Sequence, residues 1–323
     1  MNLSYDKNAA VVLLSPISTD RLQNQDLKKW LTQSDITIED RPKELLQRVT
    51  KELGLPYPKQ GLGALRMWGQ TGDRPTNWVA AADPIYLEPN LDYLCLHALD
   101  YKGIPSKQMR TLIDHLQLTL GDDSDFGFTS LASYSYLYSK NMITTASMPA
   151  YVLNGQKPNK FLFIGDDTGA SRNLVSEIEM ALHEHEVNIT RLSSGKLPIN
   201  SLWLWGGGMA PDKITRVQPP LFSDDALLSG YWHSANAEAD SWPGSISECL
   251  NRSAAGFVAE IPELYDGEDL FEECLFELRV ALRSGRLSSL TLLFSNGLRA
   301  HVRRSHVLRF WRHKFDMLGG RGQ

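Results

Sequence analysis

The 323-residue sequence is poor in cysteine and has no two cysteines at the close spacing of zinc knuckles. Its three cysteines are odd in number and far apart, which argues against a disulfide framework. We expect each to be a small core residue, because free cysteine is among the most buried residue types. These residues are Cys95, Cys249 and Cys274.

Long apolar runs are also missing. No stretch approaches the roughly 18 apolar residues that span a bilayer, and the first residues lack a basic region followed by an apolar run. The net charge of -5 and the pI near 5.9 argue against a chain that coats nucleic acid through its overall field. We therefore expect a cytoplasmic protein with no membrane contact and without nucleic acid as its main partner.

Apolar runs of strand length alternate with helical periodicity, which predicts an α/β fold. From Trp78 onward several short extended runs follow one another, so this middle portion should be more antiparallel, of α+β type. Asn296 and Gly297 separate two apolar runs, a pair that favours a tight hairpin turn. The sequence thus predicts three parts: 1–75, 76–200, and 201–323 with a terminal hairpin and a basic tail.

Residues 176–211 combine acids, imidazoles and a guanidinium with an apolar run that ends in Gly206, Gly207 and Gly208. Ligands of open α/β sheets bind beyond the carboxyl ends of strands, where glycine permits close backbone approach. Asn188 and Arg191 precede the run, and arginine suits phosphate or carboxylate, although a surface salt bridge is the alternative. The glycines match no dinucleotide or Walker pattern, so nucleotide binding is not predicted.

A metal site is the second possibility in this stretch. Glu179 and His183 are four residues apart on a predicted helix, with His185 close by, so that two ligands could reach one ion. The alternative is a solvated helix end, where a protonated histidine interacts well with the helix dipole. We favour the solvated helix end and predict neither a metal nor a cofactor.

The C-terminal segment is locally basic, with three aromatic residues among its cations. Interleaved aromatic side chains are typical of single-strand nucleic-acid binders. Alternatively, an edge strand and a terminal helix present cations that offset the acidic remainder of the protein. The cations are Arg299, Arg303, Arg304, Arg309, Arg312 and Lys314.

Residues 182–211 resemble a segment of archaeal-type cofactor-independent phosphoglycerate mutases, which reads His-Pro-Val-Asn, two residues, Arg, a Gly, Pro-Ala-Asn and then Ile-Trp-Leu-Trp-Gly-Gln-Gly. Residues 66–69, 82–89, 94–99 and 309–312 are similar to the RpfE-type regulatory protein family, itself related to those mutases. The resemblance implies an alkaline-phosphatase-superfamily core. It also adds Asn200 to the candidate ligand residues, beside Asn188, Arg191 and the glycine triplet.

The departures from the mutase pattern concern catalysis. The resemblance implies two divalent metals held by Asp and His side chains and a serine nucleophile, a clamp that stabilises the attacking and leaving oxygens. Here the first apolar run leads into Ser15 and Pro16 rather than an Asp-Gly turn. Residues 133–136 read Ser-Tyr-Ser-Tyr where the mutases have Ser-Tyr-Arg-His, and His233 and His301 lack the family spacing.

These departures predict a degenerate core and a pseudoenzyme with a regulatory or ligand-sensing role. Its expected partner is a small phosphorylated or carboxylated metabolite, or a regulatory protein. A metal-dependent mutase or phosphatase with rewired ligands is one alternative. A nucleic-acid or acidic-partner module that uses the basic C-terminus is the other.

Overall fold

The computed structural model describes residues 8–18, 21–39, 43–121, 125–158, 168–212, 216–264 and 267–309. The chain divides into two compact units. The first unit comprises Met1–Tyr57 and Ile214–Gln323, and the second comprises Pro58–Lys213. None of the helices in the described part of the chain has the length and apolar character needed to cross a bilayer.

The described part of the chain contains twelve β-strands and nine α-helices. The strands are β1 (Ala9–Leu14), β2 (Asp35–Ile38), β3 (Trp78–Pro89), β4 (Leu94–Ala98), β5 (Phe126–Leu131), β6 (Tyr134–Ser139), β7 (Ser201–Gly208), β8 (Leu221–Phe222), β9 (Ala239–Asp240), β10 (Gly256–Glu260), β11 (Ser289–Phe294) and β12 (Leu298–Arg303). The α-helices are α1 (Gln25–Thr32), α2 (Leu45–Leu53), α3 (Leu62–Thr71), α4 (Ser106–Leu116), α5 (Thr168–Leu182), α6 (Glu186–Ser193), α7 (Ala226–Ser234), α8 (Ile246–Arg252) and α9 (Phe271–Ser284).

The first unit is built on a seven-stranded sheet in the order β2-β12-β11-β1-β10-β8-β9. The strands from β11 to β9 are parallel, whereas β12 and β2 are antiparallel to their neighbours. β1 and β11 are almost wholly buried, as continuous apolar runs of a parallel sheet should be. The predicted hairpin joins β11 to β12, with Gly297 at a φ of 88°.

The second unit contains a five-stranded antiparallel sheet. Strand β3, twelve residues long, pairs with β4, β6 and β7, and β5 pairs with β6. Helices α4 and α5 contribute to the apolar core on this sheet. Parallel strands in one unit and an antiparallel sheet in the other confirm the predicted α/β class with an antiparallel α+β middle portion.

The boundaries between the units differ from those of the three predicted parts. The part 201–323 was expected to begin with the strand that is now β7. This strand instead pairs in antiparallel register with β3, from Ile85 opposite Ser201 to Val79 opposite Gly208. That ladder holds β7 in the second unit, and the boundaries along the chain fall between residues 57 and 58 and between residues 213 and 214.

Candidate functional site

The stretch 176–211 contains the end of α5, the whole of helix α6 and strand β7. Helix α5 ends at Leu182, and Glu184 adopts a positive φ of 56° that turns the chain. His185 then caps α6 by accepting a hydrogen bond from the Val187 N–H. Asn188 and Arg191 therefore lie on a second helix and not in a loop beyond the first.

Asn188 forms a bracket between two backbone segments. Its Nδ2 donates to the carbonyl oxygens of Leu182 at 3.0 Å and Ile199 at 2.8 Å. Its Oδ1 accepts from the Ile199 N–H at 2.8 Å. The side chain is buried and thus fixes the end of α5 to the chain that enters β7.

Arg191 and Asn200 make contacts of the same kind. Arg191 Nε donates to the Leu197 carbonyl at 2.9 Å and Nη1 donates to Gln108 Oε1 at 3.1 Å, while burial lowers the pKa of Arg191. Asn200 accepts from the Leu87 N–H at 2.8 Å and donates to the Leu87 carbonyl at 2.9 Å, as a neighbouring strand would. Ligand binding by these residues stays a prediction, and the contacts described here are structural.

We expect Asn188→Ala to lower the free energy of unfolding by about 2 kcal/mol, because buried backbone groups of Leu182 and Ile199 lose their partner. Urea denaturation followed by tryptophan fluorescence measures the change. Ile189→Ala, on the exposed face of the same helix, is the control and should change stability by less than about 0.5 kcal/mol. An Asn188→Ala protein of unchanged stability would contradict the structural role.

The glycine triplet packs against protein. A Cβ on Gly206, whose φ is 63°, would lie 2.8 Å from the Leu62 Cβ. A Cβ on Gly208 would lie 2.5 Å from the Gly61 nitrogen, and one on Gly207 would lie 2.3 Å from the Trp78 ring. The small size of these residues thus lets β7 approach the start of α3. The predicted close approach of backbone is present, and the neighbours of the missing Cβ atoms are protein atoms of α3, β3 and adjoining residues. Ligand binding by the triplet stays a prediction.

The alternative metal ligands Glu179, His183 and His185 are not among the described residues whose ligand atoms lie close enough to share one ion. Glu179 accepts a hydrogen bond from Ser201 Oγ at 3.3 Å, and burial raises the pKa of its carboxyl. The His185 ring packs on His115 with 4.9 Å between centroids, and burial and then His115 lower the pKa of His185. Burial of Glu179 and His185 differs from the fully solvated helix end that we favoured, and the absence of a metal at these residues stays a prediction.

A buried ion pair that the sequence did not predict lies in the second unit. Arg66 is 4% exposed, and its Nη1 donates to Asp83 Oδ1 at 2.6 Å. Trp205 Nε1 donates to the other carboxylate oxygen at 2.6 Å. The guanidinium carbon lies 4.8 Å from the Tyr134 ring centroid and 4.9 Å from that of Tyr136.

The electrostatics of this cluster favour a charged pair. Burial alone would lower the pKa of Arg66, but the Asp83 carboxylate and the two tyrosines raise it above its ordinary value. Asp83 lies inside β3, although an Asp before a Pro usually forms a turn, and residues 66–71 belong to α3. The sequence held one signal of this cluster: Tyr134 and Tyr136 are two residues apart, so that their rings share one face of a strand.

Polar side chains at the carboxyl ends of β8 and β10 bind one another and a helix. Ser223 Oγ donates to Glu260 and accepts from the Asp225 N–H at 2.9 Å. Asp225 Oδ1 accepts from the Leu228 N–H at 2.8 Å and so caps α7. This edge of the sheet, where ligands bind in many α/β folds, is therefore held by strand-end and helix-cap hydrogen bonds.

The basic C-terminal cations are partly matched by acids. Arg299 forms a bidentate pair with Glu52 at 2.6 and 2.7 Å, and Arg309 Nη1 lies 2.6 Å from Asp35 Oδ1. Strand β12 lies between β11 and β2, so it is not the edge strand that one interpretation expected. Arg303 and Arg304 are exposed. Arg312 and Lys314, with the aromatic residues Phe310, Trp311 and Phe315, lie outside the described residues.

The chain matches no family model. A stretch of 134 residues, 40% of this chain, is 30% identical to the 2,3-bisphosphoglycerate-independent phosphoglycerate mutase of Methanosarcina barkeri and covers 33% of that enzyme. A stretch of 127 residues is 36% identical to the enzyme of Methanothrix thermoacetophila and covers 32% of it. The chain thus spans about a third of the length of the curated relatives it matches.

Two solved structures are also similar. The cofactor-independent phosphoglycerate mutase of Thermoplasma acidophilum is 16% identical, with coverage of 98% of this chain and 96% of that chain and a TM-score of 0.44. A protein from Pyrococcus horikoshii is 11% identical, with coverage of 93% and 88% and a TM-score of 0.49. The closer relation to RpfE-type proteins stays a prediction. Over about two fifths of its length, this chain is a sequence relative of the cofactor-independent phosphoglycerate mutases.

Proposed function

We propose that this chain is a non-catalytic regulatory or ligand-sensing protein built on a phosphoglycerate-mutase-like scaffold. The proposal rests mainly on the hydrogen bonds of the polar residues that resemble those of the mutases, because these bonds are made to the protein itself. Asn188 and Asn200 direct their amides to backbone groups, and Arg191 binds the Leu197 carbonyl and Gln108. A role in holding the second unit together explains these residues without a substrate.

The chemistry at the carboxyl edge of the first sheet supports the same proposal. Phosphoryl transfer by two metals needs ligands that converge on both ions. Asp225 caps a helix, Glu260 accepts from Ser223, and Ser18 Oγ accepts from the Arg21 N–H at 3.3 Å in the turn after β1. These polar groups therefore form hydrogen bonds that stabilise the fold, at the edge of the sheet where open α/β folds usually have their active site.

The ligand class proposed is a small phosphorylated or carboxylated metabolite, with a regulatory protein as the receiver of the signal. A related scaffold supports this class because the mutases act on phosphoglycerate, which carries both groups. The competing function is a mutase or phosphatase whose metal ligands have been replaced by other residues. Only this alternative predicts that the protein turns over a substrate.

Thermal unfolding of the full chain with 3-phosphoglycerate, inorganic phosphate or glycerol tests ligand sensing. We expect 3-phosphoglycerate to raise the midpoint in a saturable way, since a ligand at 100 times its Kd adds about 2.7 kcal/mol to stability. Glycerol, which lacks both anionic groups, is the control and should leave the midpoint unchanged. Equal unfolding midpoints in all three solutions would contradict the proposal that the chain senses a ligand of this class.

A further inference from the structure

We propose that Glu88, Cys95 and His97 form a site for one zinc-class divalent cation on the β3–β4 ladder. In this antiparallel pair Glu88 lies opposite Cys95, and Tyr86 lies opposite His97. Residues two apart on a strand share a face, so the three side chains project from the same side of the sheet. The register of two paired strands therefore brings them together without any loop.

The distances suit a metal site that forms after small movements of its side chains. The ligand atoms of the three residues all lie within 4.8 Å of one another, and His97 Nε2 lies 2.8 Å from Glu88 Oε2. Zinc bond lengths place tetrahedral ligand atoms roughly 3.3–3.6 Å apart. The Glu88 and His97 side chains are 48% and 33% exposed, so their ends can turn by the small amount required.

The donor set selects the class of cation. Thiolate, imidazole and carboxylate together favour zinc and its neighbours, whereas magnesium and calcium prefer oxygen ligands alone. The Tyr86 ring stacks on the His97 ring, with 5.9 Å between centroids and 27° between planes, and limits its orientation. Three protein ligands at an exposed face leave a fourth position for water or an external ligand.

This site is separate from the residues of the proposed function. It shares no side chain with Asn188, Arg191 and Asn200. An ion pair between Glu88 and His97 beside an uninvolved thiol is the alternative explanation of the same geometry. The two explanations differ in whether the Cys95 sulfur binds metal.

Zinc binding to the full chain under reducing conditions is measured by competition with a chromophoric chelator and by metal analysis after desalting. We expect one Zn²⁺ per chain. Cys95→Ser and His97→Ala should each weaken binding at least about 100-fold, and Glu88→Gln should weaken it about 10-fold. His183→Ala, which alters an exposed histidine of the other candidate group, is the matched control and should bind as the unaltered chain does.

Co²⁺ substitution reports on the sulfur directly. The cobalt-loaded chain should show a thiolate-to-cobalt charge-transfer band that Cys95→Ser abolishes and His183→Ala retains. Circular dichroism of each variant confirms that the fold is intact. Failure of the full chain to bind Zn²⁺ stoichiometrically, a band that survives in Cys95→Ser, or loss of binding in His183→Ala would each overturn the proposal.

Discussion

Asp83→Ala should lower the free energy of unfolding of the second unit by about 3–5 kcal/mol, the largest effect expected of any single substitution considered. The carboxylate accepts hydrogen bonds from Arg66 and from the Trp205 indole, both at 2.6 Å. Its removal leaves a guanidinium that is 4% exposed without its counter-ion. An uncompensated buried charge costs far more than the pair contributes when intact.

Two further variants separate this cost from the loss of a contact. Lys140→Ala breaks an exposed ion pair with Asp125, just beyond the paired ends of β5 and β6, and should change stability by less than about 1 kcal/mol. The double change Arg66→Met with Asp83→Leu should recover part of the loss, since it removes the unpaired buried charge but leaves the Trp205 indole without its acceptor. Urea denaturation of all variants gives the comparison, and a double variant less stable than Asp83→Ala would contradict the explanation.

Gly63→Ala should destabilise the second unit by about 3 kcal/mol. A Cβ at this position would lie 2.5 Å from the Ala81 nitrogen and 2.7 Å from the Ala80 carbonyl carbon. Both atoms belong to the backbone of β3, so no side chain can rotate away and α3 must shift from the sheet. Overpacking of a close-packed interior costs typically 1–3 kcal/mol, and contacts with backbone lie at the upper end.

Gly169→Ala is the matched control for this change. Gly169 is also helical, in the first turn of α5, and a Cβ there would meet nothing within 4 Å. Alanine should therefore be neutral or stabilise by up to about 1 kcal/mol, because it restricts the unfolded chain. Equal midpoints of thermal unfolding for Gly63→Ala and the unaltered chain would show that α3 does not approach β3 as described.

Local signals in the sequence were sufficient for much of the fold. The apolar run 10–14 predicted a buried first strand because a parallel strand covered on both faces has no polar alternation. Asn296 and Gly297 predicted the β11–β12 hairpin because a tight turn needs positive φ. Both features depend on residues close together in the chain, which is why periodicity and turn chemistry could identify them.

Long-range pairing was beyond those signals. Arg66 and Asp83 meet because α3 packs on β3, and Trp205 reaches the same carboxylate across 122 positions. Glycine in residues 54–74 is typical of a loop, yet Gly63 lies in α3 and provides the close helix-to-strand contact. Amino-acid composition does not show which backbone atoms a glycine will contact in the fold.

The sequence indicated the position of Asn188 and Arg191 better than it indicated their hydrogen-bond partners. Asn188 and Arg191 were singled out as polar residues beside a buried strand, and both are buried there. Their partners include the main-chain carbonyls of Ile199 and Leu197. Since every residue has such a carbonyl, the sequence does not show which one will accept a hydrogen bond. The motif therefore indicated that this sequence is related to the mutases, whereas the hydrogen bonds of Asn188 and Arg191 indicate a structural role.

A phosphoglycerate mutase assay of the purified full chain, with Mn²⁺, Mg²⁺ or Zn²⁺ supplied in turn, tests the proposed absence of catalysis most directly. The proposal predicts no conversion of 3-phosphoglycerate to 2-phosphoglycerate above the rate without protein, under conditions in which an authentic mutase is active. Conversion that depends on both the chain and the metal, and that a chelator abolishes, would contradict it.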